Sequence, residues 1–237
     1  MPRPAPPTEP SWYHRLSSAR RRIARASDRA PRLQYVPTPD VAAAVSGLRV
    51  ALLAGRAAPV ARCCQEIARG VCRHFAVVPV RVTVLRRRPA NHDGELHGLY
   101  EGAEHDGEHD RIRLWMLTAK RGQVVAFRTF LRTLVHEICH HLDFTTLGLV
   151  ESLHTVGFLR RESSLFAVLT EADLTGGEAA PITPHRAEEA QLSLGFLADA
   201  AAPDDPGGHE GNGDELASRG QRARQRQRGA GQVLGKA

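Results

Sequence analysis

The chain has 237 residues, with Lys+Arg 32 against Asp+Glu 26 and a formal net charge of +6. At 42% hydrophobic and 24% charged residues, it has the composition of a globular protein large enough to bury a core without disulfide staples. That length fits one domain with tails or two small ones, and no run reaches the roughly 18 apolar residues of a membrane span.

Residues 1–40 are rich in Pro, Arg and Ser, and set eight arginines against Glu9, Asp28 and Asp40. Arg15 to Arg25 could form one basic helix, but the flanking prolines predict a mostly extended segment. No apolar h-region follows Met1, which argues against a secretory signal. The stretch 41–202 is neutral, with 18 basic and 18 acidic residues, so the basicity belongs to the ends. A basic tail of this kind could add salt-sensitive affinity for nucleic acid, with a solvated tail as the simpler reading.

Segments 41–54 and 58–75 read as helices, the second with Val60, Cys64, Ile67, Val71 and Phe75 at three- and four-residue spacing. Val78 to Leu85 alternates and is β-branched, as a strand should be. Leu96 to Glu101 and Arg111 to Leu117 read as two more strands, joined across an acidic, glycine-containing tip. Arg86, Arg87 and Arg88 read as a solvated charge run. Gln123 to Phe144 is the strongest helix, with a stripe of Phe127, Leu131, Leu134, Ile138 and Leu142 and a stop expected at Gly148. Phe158 to Leu174 is a second helix, and 186–200 a third. From Pro203 the chain is rich in Gly, Arg, Gln and Asp and is expected to be disordered. The expected organisation is a basic segment 1–40, one α+β domain over 41–200 and a tail over 201–237. The four cysteines, Cys63, Cys64, Cys72 and Cys139, lack the spacing of a disulfide framework or a Cys-x-x-Cys zinc site, which predicts a reducing, cytoplasmic setting.

The chemistry concentrates in Leu134-Val-His-Glu-Ile-Cys-His-His-Leu-Asp143. His136 and His140 are one helical turn apart on one face, the spacing at which two imidazoles grip one tetrahedral Zn²⁺. Glu137 lies beside them, too far round to ligate easily, where a carboxylate can take a proton from an attacking water. A catalytic zinc needs a third protein ligand. His154 is the first candidate and Glu162 the second, with Glu151 and Glu171 behind them. Asp143 could accept an imidazole N–H and so fix its tautomer. His141 is rotated off the ligand face and reads as a satisfied structural histidine rather than a substrate contact. Arg160 or Arg161 could stabilise an oxyanion, against the commoner role of a solvated or ion-paired arginine. Cys139 reads as core. His97, His105 and His109, with Glu104, Asp106 and Glu108, read as a solvated loop rather than a second metal site.

The run His136-Glu-Ile-Cys-His140, followed by His154-Thr-Val-Gly-Phe158, resembles the zincin-type metallopeptidases, and among them the SprT-like and WLM-like group. It also resembles an uncharacterised bacterial group of putative metallopeptidases. The resemblance covers about 75 residues, 95–170. It implies a single zincin-like domain with a small antiparallel sheet packed on the HExxH helix. It implies Zn²⁺ on His136, His140 and His154, Glu137 as the catalytic base, and a peptide or protein substrate. It also implies that Arg111 to Met116 is an edge strand on which substrate backbone pairs by β-addition. The competing expectation is a non-catalytic zinc module that binds a protein or nucleic acid through its basic tails.

Overall fold

The structure, a computed structural model, describes residues 10–91, 94–103, 109–174 and 233–234. A 3₁₀ turn, Ser11–Arg15, leads into α1 (Ser18–Arg29), α2 (Pro39–Leu53) and α3 (Ala57–His74). Then come β1 (Arg81–Arg87), β2 (Ala90–Asn91), β3 (Gly94–Leu96), β4 (Gly98–Glu101) and β5 (Arg111–Leu117). Two long helices, α4 (Phe127–Thr145) and α5 (Val156–Leu174), and a two-residue strand β6 (Val233–Leu234) complete the described elements. The α+β class is as expected; the helix read over 186–200 lies outside the described residues, as does nearly all of the tail.

Apolar spacing explains the helices. α2 buries Val41, Val45, Leu48 and Leu52, and α3 buries Val60, Cys64, Ile67, Val71 and Cys72, each as a single stripe. α4 differs. It buries its apolar stripe, but every residue from Leu134 to Phe144 is buried as well, histidines and carboxylates included.

The main sheet has the order β1-β5-β4. β4 and β5 form an antiparallel hairpin in the register Gly98↔Leu114, whereas β1 runs parallel to β5 in the register Arg81↔Arg111. The expected antiparallel sheet is therefore a mixed one. Nor is Arg111 to Met116 an edge strand. It buries Ile112, Leu114, Trp115 and Met116, residues on both of its faces, and a strand buried on both sides belongs in the middle. The edges are β1 and β4. α3 packs on β1, and α4 packs on β4 and β5. β2, β3 and β6 make a separate small antiparallel ladder.

Two further expectations are corrected. Residues 10–40 are not mostly extended: Ser17 caps α1 through the Arg20 amide, and α1 packs on α5 with Tyr13, Ala24 and Ser27 buried. The arginines that made this segment look like a loose basic tail are partly turned inward, Arg20 onto Glu151 and Arg21 onto the Tyr13 and Leu16 carbonyls. Arg88 is not solvated. It is buried beside Glu95 at 3.4 Å, and burial pulls its pKa down.

One polar knot ties the hairpin to α4. Asp110 accepts from the Tyr100 hydroxyl at 2.6 Å, the Ala103 amide at 2.7 Å and His141 Nδ1 at 3.0 Å. The other His141 nitrogen donates to the Val78 carbonyl at 2.9 Å. Burial disfavours charge on His141, but Asp110 and its other acceptors outweigh it and lift the ring to about 9. The same bonds outweigh burial at Asp110 and hold it down to about 2.

Both signs follow from linkage. A histidine raised above its ordinary value stabilises fully below about 6.5 and less and less as pH climbs towards 9. An aspartate lowered to about 2 stabilises above its ordinary value and loses that contribution in acid. Asp110→Ala should cost on the order of 3 kcal/mol, because it strands a buried imidazolium and a hydroxyl. It should also flatten the stability loss between pH 6.5 and 9. Urea unfolding with a chelator present throughout measures both; an unchanged pH profile would refute the assignment.

Candidate metal centre

α4 carries His136 and His140 one turn apart, as any helix would at this spacing. The chain then turns back. α4 ends at Thr145, Gly148 takes a left-handed φ of 62° that favours glycine, and the loop returns His154 to the helix just before α5. The three Nε2 atoms converge, with His136 to His140 at 3.1 Å and His140 to His154 at 3.2 Å. One ligand atom from each residue lies within 4.8 Å of the others. Phe158 is buried against all three rings, with centroids at 5.0, 4.7 and 5.1 Å. His136 and His140 are buried and His154 is exposed, so the cluster meets solvent on the His154 side.

The outer nitrogens explain why the inner ones converge. His136 Nδ1 donates to Glu162 Oε2 at 3.0 Å. His140 Nδ1 lies 2.8 Å from the Ser152 hydroxyl, which spends its own proton on Asp143 Oδ2 at 2.8 Å. Ser152 must therefore accept, and the His140 proton sits on Nδ1. Both rings then aim an Nε2 lone pair at the common centre, the arrangement typical of metal-bound imidazoles. Two such lone pairs so close repel unless a proton or a metal ion lies between them. Tetrahedral zinc with bonds of 2.0–2.1 Å would set its nitrogens about 3.3 Å apart, close to the His136–His140 and His140–His154 separations. Charge preferences favour the neutral form at two of the three rings. Burial drives His140 well below its ordinary value, helped by the neighbouring rings; His154, open to solvent on its outer side, is also lowered, by desolvation within the cluster and by the charge of His136. Burial pushes His136 the same way, but Glu162 and Glu137 overcome it and raise the ring.

Glu137 is buried on the side of α4 that faces β4. It receives the Tyr100 backbone N–H, and burial lifts its carboxyl to about 7 against the lowering effect of His136. The fit depends on Gly98. A Cβ there would stand 2.5 Å from Glu137 Oε1 and 2.7 Å from a Thr133 methyl.

The other sequence candidates sort by what they touch. Glu162 is not in the ligand cluster: its oxygens are taken by His136 and by Arg132 at 2.8 Å, and these bonds outweigh burial to keep it ionised. Glu151 pairs with Arg20, and Glu171 is exposed late in α5. Asp143 steadies His140 through Ser152 instead of directly. Arg161 is 1% exposed and spent on Ser27 and Asp143, so it offers nothing to an oxyanion. Cys139 is core, and His141 belongs to the Asp110 knot. His97 touches Arg88 at 3.4 Å, while residues 104–108, including His105, lie outside the described residues. Ser152 had no motif around it; it became visible only when the loop closed on His140. No protein-family model, curated protein or solved structure matches the chain.

The centre can hold a metal ion on three ring nitrogens. His154→Ala should abolish stoichiometric metal in purified protein. Glu162→Gln, which weakens the hold on His136, should lower affinity by roughly 10–100-fold and leave the stoichiometry intact. Metal analysis and chelator competition separate the two; full loss in Glu162→Gln with none in His154→Ala would reverse the assignment.

Proposed function

We propose that the chain is a zinc-dependent hydrolase, a peptidase, with zinc held by His136, His140 and His154. Bound there, zinc would supply Lewis acidity towards a carbonyl oxygen and towards water. The chain's own residues do the rest. Glu162 and the Ser152–Asp143 pair hold the outer Nδ1 protons and so aim the inner nitrogens at the centre. Glu137 acts as the base. It takes the proton of the attacking water on its carboxylate and passes it to the leaving amine. Its burial beside His136 and the Tyr100 amide gives it a proton affinity suited to both halves of that task.

The observation that carries the reading is the joint arrangement. Three imidazole nitrogens converge while their neighbour on the helix is a buried carboxylate lifted to about 7. Among the described residues the cluster has three members, and one of them is exposed, which favours a site open to substrate over a closed structural zinc. A peptide substrate is supported by the resemblance of His136 to His140 and His154 to Phe158 to zincin-type peptidases. β4 supports it too: Glu137 lies along this edge strand, where an extended chain could pass.

Glu137→Gln should retain zinc and lose cleavage of an unfolded protein such as casein by about 10²–10⁴-fold. Gly98→Ala should likewise keep the metal while impairing turnover, because the new methyl displaces the carboxylate rather than a ligand. Full activity in Glu137→Gln, or zinc-loaded wild type that leaves casein intact, would defeat the proposal.

A further inference from the structure

His154 differs from the other two histidines in its support. His136 and His140 are fixed by a helical ladder, whereas His154 sits on a loop, and ordering a loop costs backbone entropy at each residue. α1 makes the contacts that hold this loop. Arg20 forms a two-pronged ion pair with Glu151, at 2.5 and 3.0 Å, before the histidine. Asp28 accepts the Gly157 amide at 2.6 Å after it, and its other oxygen is bonded by the Tyr13 hydroxyl. Between them, Ser27 Oγ meets Thr155 Oγ1 at 2.8 Å in a buried contact. The approach is close enough that a Cβ on Gly157 would stand 2.2 Å from the Ser27 carbonyl oxygen.

The same helix also reaches the second ring. Arg161 donates to the Ser27 carbonyl at 2.7 Å and hydroxyl at 2.9 Å, and to Asp143 Oδ1 at 2.8 Å. Asp143 holds Ser152, and Ser152 accepts from His140. A continuous path of hydrogen bonds therefore joins α1 to His140, while separate contacts clasp the loop on both sides of His154.

We infer that α1 is part of the metal centre, with Arg20, Ser27 and Asp28 as positioning residues that set its affinity for the cation. The inference rests on the metal-binding reading of the three histidines. Without the clasp, His154 must be ordered at the moment of binding, and that cost appears as weaker affinity. His136 and His140, anchored on α4, would still offer a two-nitrogen foothold.

The test uses full-length protein and zinc in competition with a chromophoric chelator, with Co²⁺ absorption reporting the coordination and metal-free thermal unfolding run in parallel. Asp28→Ala should weaken zinc by roughly 10–100-fold. Arg20→Ala, at a half-exposed pair that the fold can spare, should weaken it severalfold and leave metal-free unfolding nearly unchanged. Asp28→Asn keeps an acceptor for the Gly157 amide and should restore most of the affinity. A purely structural helix would lower the unfolding temperature without moving the affinity or the Co²⁺ spectrum. Wild-type affinity in Arg20→Ala and Asp28→Ala overturns this inference and leaves the zinc reading standing; should Asp28→Ala fail to fold, Arg20→Ala decides. Wild type that takes up no zinc overturns both.

Discussion

The constraint on which the rest of the molecule depends is the burial of α4 on every side. Burying a polar group without a partner costs several kcal/mol, so each histidine and carboxylate on this helix dictates what must stand opposite it. His141 requires Asp110, which in turn gathers Tyr100 and the end of the hairpin. His136 requires Glu162, which draws in Arg132. His140 requires Ser152, then Asp143, then Arg161, then the end of α1. The sheet, the return loop and the N-terminal helix are placed where these demands are met.

Three carboxylates close to the cluster show how environment assigns roles to chemically similar groups. Asp143 and Glu162 each face an arginine, but only Glu162 is held below its ordinary value; burial outweighs Arg161 at Asp143 and raises it. Glu137 lies where α4 faces β4, and only a backbone amide and the charge of His136 are set against its burial. Two similar acids separated by about 25 residues thus diverge in proton affinity, one held ionised and one lifted into the physiological range, the pattern by which environment separates acid and base tasks.

What the sequence made legible was local. The four-residue interval of His136 and His140, the apolar stripes of α2, α3 and α4, and the alternation of Val78 to Leu85 are short-range signals, and they placed these elements to within a few residues. His154 was legible as a candidate because a histidine after a glycine break is positioned to swing back. What depended on pairing was not legible. Whether β5 stands at the edge or in the middle is decided by β1, which pairs directly with it although three strands come between them in sequence. α1 looked like a basic, proline-flanked tail because Ser27 and Asp28 show their purpose only against Thr155 and Gly157, about 130 residues later. Glu162 scored as a ligand on residue type and location alone; what settled it as a support was Arg132, a turn before His136 on α4, and no spacing rule brings that pair together.

The clasp between α1 and the return loop also says something about how the molecule comes into being. Ser27 and Thr155 are separated by 128 positions, and Ser27 and Arg161 by 134. On the ribosome, α1 is made long before its seat exists, and its buried face must wait, exposed, while the sheet and both long helices emerge. Contacts so distant in sequence also form slowly, because a large loop must close before they repay its entropy. The clasp therefore closes only after Thr155 to Arg161 have emerged, so the three histidines cannot be held as a set until nearly all of the described chain has been made.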